Sequence, residues 1–164
     1  MPIEQHILEA HKLGRLFVET GTDKGNCVQR ALDAGFQRVV SVELNPELAR
    51  NANRRFANNL NVAILEGSSP VVLRQVLPAI LEPCTFWLDA HPDHDSPVLQ
   101  ELSLFRRHPI KTHTILIDDR RLMQGHWKTV KEGQVIDFLK AINPDYRISN
   151  IPGYNPTDII CAEA

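Results

Sequence analysis

Residues 17–27 read FVETGTDKGNC, and this stretch sets how the rest of the chain is read. Arg15 to Glu19 (RLFVE) is a short apolar run that stops at Thr20-Gly21, the pattern of a buried strand. From Asn26 to Ala34, Val28, Ala31 and Leu32 share one helical face, and Gly35 follows as a C-cap. Glycines at 21 and 25 let the backbone between strand and helix pass close to a ligand.

The alternation continues along the chain. Further strands are expected at Arg38–Glu43, Val62–Glu66, Thr85–Asp89 and Thr114–Asp118. Helices are expected from Asn45-Pro46 to about Asn58, then over Pro70–Leu81, Ser96–Arg107 and Val130–Ile142. Tyr146–Asn150 and Asp158–Cys161 are strands with no helix between them, so one of the two should run antiparallel. The expected fold is α/β, doubly wound and Rossmann-like. Its seven-stranded sheet is mostly parallel, with a C-terminal antiparallel strand and helices on both faces. Residues 1–164 form one such domain, with little chain ahead of the first strand. Asp119 to Thr129 is the longest stretch without a clear period and is read as a mobile loop.

Composition narrows the function classes. A chain of 164 residues, 43% hydrophobic, can build one core without a disulfide or metal staple. Its net charge of −2 gives no electrostatic footprint for nucleic acid or for an acidic membrane. Apolar runs are short, and residues 1–13 lack the basic and apolar segments of a secretory signal. Three cysteines at 27, 84 and 161 form no CxxC, which fits a reducing cytoplasm. Homo-oligomerisation is left open.

Ligands of open α/β sheets bind outside the carboxyl ends of the strands. Those ends are Glu19-Thr20-Gly21, Glu43, Glu66-Gly67-Ser68, Asp89-Ala90-His91 and Asp118-Asp119, each with an acid. Asp and Glu commonly cap strands, but five of five points to a site. Asp23 and Asn26 stand where GxGxxG needs glycine, and Glu19 would repel a pyrophosphate. Glu19 suits an ammonium instead, which points to S-adenosylmethionine. Glu43 is placed for the ribose hydroxyls, and Gly67-Ser68 for the adenine edge.

With these residues the chain resembles the class I S-adenosylmethionine-dependent methyltransferases, over roughly residues 15–163. ETGTDKG, VVSVELN, LEGSS, FWLDAH and TILIDD occur in the order of that family. The E-x-G-x-x-x-G form is closest to the macrocin O-methyltransferase group and its cephalosporin hydroxylase-like relatives. The resemblance implies cofactor contacts from Glu19, Gly21, Thr22, Gly25, Asn26, Glu43, Leu44, Gly67 and Ser68. It implies Mg²⁺ held by Asp89, Asp118 and Asp119. It also implies O-methylation of a small-molecule hydroxyl, with Asp89 or His91 taking the proton. His94 shares the ligand-rich loop His91–Asp95. Members of the group usually carry a longer N-terminal segment; here a partner subunit or the Arg120–Thr129 loop would complete the acceptor wall. Two other readings stay open: a non-catalytic adenosylmethionine-binding module, and a nicotinamide-dependent oxidoreductase, which the missing GxGxxG disfavours. Met123, His126, Trp127, Trp87 and Cys27 are most simply packing residues.

Overall fold

A computed structural model describes residues 3–92 and 95–164. Seven strands form one sheet: β1 (Leu16–Thr20), β2 (Arg38–Glu43), β3 (Val62–Glu66), β4 (Thr85–Leu88), β5 (Thr114–Ile117), β6 (Arg147–Ile151) and β7 (Ile159–Glu163). Their order is β3-β2-β1-β4-β5-β7-β6. Strands β1 to β5 pair in parallel, whereas β7 runs antiparallel to both β5 and β6. The expected doubly wound sheet with its reversed C-terminal strand is the one observed. Strand order reverses between β1 and β4, where such sheets open a crevice.

Two-residue alternation splits the core across the sheet. Val18, Phe86, Leu88, Ile115, Ile117 and Ile160 face α4 (Ser69–Val76), α5 (Val98–Phe105) and α6 (Glu132–Ile142), meeting Leu73, Leu102, Phe105 and Leu139. Phe17, Trp87, Leu116 and Cys161 face the other way. They pack with Ile7 and Leu8 of α1 (Gln5–Ala10), Val28 and Ala31 of α2 (Asn26–Asp33) and Ala52 of α3 (Pro46–Arg55). At ~1.5–3 kcal/mol for each fully buried large side chain, these two layers hold the sheet flat between its helices.

Local signals worked as read in several places. Asn45 Oδ1 accepts from the backbone N–H of Glu47 (2.8 Å) and of Leu48 (3.3 Å), with Pro46 opening α3. Gly35, at φ +80°, ends the turn after α2. Three readings change. Residues 5–10 form a helix that sequence reading left out; Ile7 and Leu8 dock it on α2. The helix expected over Pro70–Leu81 stops at Val76, because Pro78 has no N–H to donate and turns the chain into a 3₁₀ segment, Leu77–Ala79. The loop after β5 is not free. It holds a 3₁₀ segment, Arg120–Gln124, and is pinned by buried Met123 and Trp127.

Candidate functional site

The carboxyl ends of β1, β2, β3 and β4 enclose a cleft of about 680 Å³, a volume suited to a nucleoside-sized ligand. Glu19, Gly21, Thr22, Asn26, Glu43, Leu44, Gly67 and Ser68 line it, together with Asp89 and His91. Gly25 does not line it. Its φ of +76° starts α2, and a Cβ there would lie 2.7 Å from the Phe56 ring, so it shapes the turn through packing. Gly21 serves close approach: at φ +90°, a Cβ would lie 2.6 Å from the Asp89 carbonyl oxygen. That contact brings the end of β1 against the end of β4.

Glu19 is fully buried beneath this turn. The Ser41 hydroxyl donates to its Oε2 (2.5 Å) and shares a second 2.5 Å contact with the Thr22 hydroxyl. Oε1 has no nitrogen or oxygen hydrogen-bond partner among the described residues, and the weakly donating Cys27 thiol also bears on the carboxyl. Burial pushes the Glu19 carboxyl up to about 7, opposed by the Ser41 hydroxyl. A cationic group in the cleft would supply the missing partner. Glu43 is fixed differently: the backbone N–H of Asp23 donates to Oε2 and that of Asn45 to Oε1, both at 2.8 Å. Its carboxylate is oriented, with further lone pairs for ligand hydroxyls.

A second acidic layer lies at the ends of β4 and β5. In register, Leu88 stands opposite Ile117, so Asp89 and Asp118 emerge side by side. The expected triad of Asp89, Asp118 and Asp119 is nevertheless divided. Ligand atoms of Asp89, His91 and Asp119 lie within 4.8 Å of one another, and so do those of Asp118, Asp119 and Asp158. Asp119 belongs to both groups because its left-handed backbone, φ +60°, turns the chain sharply after Asp118. His91 Nε2 is 3.7 Å from Asp89 Oδ1 and 3.4 Å from Asp119 Oδ2. Arg121 reaches Asp119 Oδ1 at 2.7 Å and also pairs with buried Asp158, so a guanidinium already engages two of the three acids of the second group. Burial raises Asp118 to about 7, and the charge of Asp119 adds to the rise. Asp89 is raised well above its ordinary value by burial, then by Asp118 and Asp119.

Some participants escaped sequence reading. Ser41 orients Glu19; its signal was a hydroxyl inside the apolar run VVSVE. Asp158 and Arg121 meet across 37 positions, which no local pattern shows. Glu101 is fully buried in α5, where burial lifts it to about 7 against the hydroxyls of Ser69 and Thr20. It shares the buried face of α5 with Val98, Leu102 and Phe105, a helical spacing that is the signal available for it. Thr129 donates its hydroxyl to Asp95 (2.5 Å), tying the loop after β5 to the loop after β4. His94 lies outside the described residues. Trp87, Trp127 and Cys27 are buried packing residues, and burial pushes the Cys27 thiol up rather than down.

Solved structures share this architecture. The methyltransferase PaMTH1 of Podospora anserina, bound to S-adenosylhomocysteine, matches with a TM-score of 0.67 at 11% identity, over 97% of this chain and 75% of that one. TomG is an O-methyltransferase of Streptomyces achromogenes involved in tomaymycin synthesis and solved with S-adenosylmethionine. It matches at 0.67 and 13%, over 98% and 77%. The chain has the Rossmann-like methyltransferase fold. A Clostridium thermocellum protein named as a candidate rRNA methylase matches at 0.65 and 15%, over 97% of this chain and 94% of that one. No protein-family model matches, and no curated protein matches in sequence.

Proposed function

We propose that this chain binds S-adenosylmethionine in the β1–β4 cleft and transfers its methyl group to a hydroxyl oxygen of a small molecule. The observation that carries the reading is Glu19: a buried carboxylate with one oxygen that lacks a nitrogen or oxygen partner among the described residues, in the same cleft as an oriented Glu43. Glu19 takes the ammonium of the methionine part. Glu43 accepts from the ribose hydroxyls, and Gly67-Ser68 run along the adenine. The pyrophosphate of a nicotinamide cofactor would meet repulsion from Glu19 and Asp23 at the turn after β1. The E-x-G-x-x-x-G form supports a place beside the macrocin O-methyltransferase group.

Transfer is an in-line displacement with one proton to remove. The acceptor oxygen forms a bond to the methyl carbon as the carbon–sulfur bond breaks, and the electron pair stays on sulfur. The hydroxyl proton goes to His91 Nε2, at the cleft mouth between Asp89 and Asp119. The Asp89 and Asp119 carboxylates, beside the His91 Nε2 that takes the proton, suit a divalent cation whose remaining positions water would fill; Arg121 engages Asp119 Oδ1, and Oδ2 faces the cleft side. Such an ion, when bound, would supply Lewis-acid polarisation of the acceptor hydroxyl.

The test is methyl transfer from radiolabelled S-adenosylmethionine to a panel of catechols and other small hydroxyl compounds. His91→Ala should lower turnover ~10²- to 10⁴-fold while leaving cofactor binding intact. Cofactor binding with no transfer to any hydroxyl compound would leave a binding module instead. Transfer to RNA alone would replace the small-molecule acceptor.

A further inference from the structure

At the opposite edge of the sheet, below the amino ends of β1, β4 and β5, lies a second cleft of about 420 Å³. His11, Glu163, Lys12, Pro83 and Arg147 are among its lining residues. His11 follows α1, and Cys161 and Glu163 lie on β7. Cys161 and Glu163 are two positions apart on β7 and so present their side chains to the same face, where both meet one imidazole. His11 Nδ1 is 3.0 Å from Glu163 Oε1 and 3.6 Å from Cys161 Sγ.

We propose that His11 Nδ1, Cys161 Sγ and Glu163 Oε1 form a binding site for a zinc-class divalent transition-metal ion, separate from the nucleoside cleft. The donor chemistry is that of zinc: one imidazole, one thiolate and one carboxylate, with no geometric demand beyond a tetrahedron. With zinc–ligand bonds of roughly 2.0–2.3 Å, tetrahedral ligands stand about 3.4–3.6 Å apart. The three ligand atoms here lie within 4.8 Å of one another, and two of the separations are 3.0 and 3.6 Å. The His11–Cys161 spacing already fits, and the His11–Glu163 pair would open by a few tenths of an ångström. The Cys161–Glu163 separation, bounded by 4.8 Å, would close by about 1 Å at most, within the reach of a half-exposed glutamate side chain. The thiol is buried at the base, while His11 and Glu163 keep side-chain exposures of 21% and 32% at the rim. Ion entry and a water at the fourth position are both accommodated.

Cys84 and His113 provide an internal contrast. Their Sγ–Nδ1 separation is also 3.6 Å. However, His113 Nδ1 accepts from the Cys84 N–H and Nε2 is engaged by His108, so neither ring nitrogen is free. No carboxylate joins that pair among the described residues. At the proposed site, the two ligand atoms are the partners of His11 Nδ1 among the described residues. On binding, the Cys161 S–H bond breaks, its proton goes to solvent, and the sulfur pair forms the bond to the metal. The His11 ring gives up the Nδ1 proton it shares with Glu163 and takes one from solvent at Nε2, so its Nδ1 pair is free for the metal with no net proton change, and Glu163 binds as the carboxylate. No oxidation state changes, and one proton leaves per ion.

The experiment uses the full chain, stripped of metal and kept reduced, and titrated with Co²⁺ and then with Zn²⁺. One Co²⁺ should bind with a thiolate-to-cobalt absorption band in the near ultraviolet and the intense visible bands of four-coordinate cobalt. Zn²⁺ should displace it, with one proton released in buffer-dependent calorimetry. Cys161→Ser should abolish the thiolate band. His11→Ala and Glu163→Gln, at half-exposed positions that keep the fold, should each weaken Zn²⁺ binding by more than the ~10–100-fold cost of losing an outer partner. Cys84→Ser should keep the band. The proposal is overturned if wild type shows no thiolate band, if the band survives Cys161→Ser, or if Zn²⁺ affinity is unchanged in both His11→Ala and Glu163→Gln.

Discussion

Replacing Glu19 by Gln removes one buried charge and little volume. In the free protein the carboxyl titrates at about 7, against an ordinary 4.5, because burial disfavours the anion. A raised pKa means that the folded state holds a proton the unfolded state has lost. The stability this contributes is complete below pH 4.5 and is lost as pH rises through 7. At about 1.4 kcal/mol per pH unit, the window totals roughly 3 kcal/mol. Glu19→Gln has no such titration and can still accept from Ser41. It should therefore unfold at higher urea than wild type at pH 8, and the difference should close toward pH 4.5. Ligand binding should change in the opposite sense. A charge-assisted bond to an ammonium is worth about 1.5–3 kcal/mol, so S-adenosylhomocysteine should bind roughly 10- to 150-fold more weakly. Urea melts across pH 4.5–8.5 and calorimetry at pH 8 read the two effects on the same variant. Parallel stability profiles for wild type and variant, or unchanged affinity, would refute the account of Glu19 as a charge held for a cation.

Three further perturbations probe separate parts of the structure. Gly21→Ala places a Cβ 2.6 Å from the Asp89 carbonyl at φ +90°; thermal melts should show a loss of at least ~1–2 kcal/mol, with reduced S-adenosylhomocysteine binding. Burial, then the neighbouring His108, lowers His113 to about 4. The folded state thus resists protonation, and stability that is complete above pH 6.5 should fall by about 2 kcal/mol as pH drops to 4, a slope that His113→Gln removes. Arg121→Met strands buried Asp158 and Asp119 without their guanidinium. Chemical denaturation should show a loss of about 2 kcal/mol at pH 7, shrinking as acid protonates the carboxylates.

Strand ends were legible because a sheet's apolar runs stop where the polar edge begins. RLFVE, RVVSVE, VAILE, TFWLD and TILID each carry their acid at the point where the chain leaves the core. The cleft followed from them, since parallel strands bring all their carboxyl ends to one edge. Features made by distant contacts were not legible. Helix α1 has only six residues and no period of its own, and its docking on α2 is what stabilises it. Asp119 looked like a simple third ligand, yet its left-handed backbone and the Arg121–Asp158 pair divide the acids into two groups. Glu101 carries no local sign of burial as a charged residue, and its place on the inner face shows only with Val98, Leu102 and Phe105 packed around it. The His11–Cys161–Glu163 group joins residues 150 and 152 positions apart.

The central claim is that the β1–β4 cleft seats an adenosylmethionine-type ligand on Glu19 and Glu43. Calorimetric titration of S-adenosylhomocysteine into wild type and Glu43→Ala, with NADH as the competitor, tests it most directly. The account predicts one ligand per chain, at least ~10-fold weaker binding in Glu43→Ala from the lost charged acceptor, and no displacement by NADH. No binding to wild type, equal binding to the variant, or tight binding of NADH in its place would contradict it.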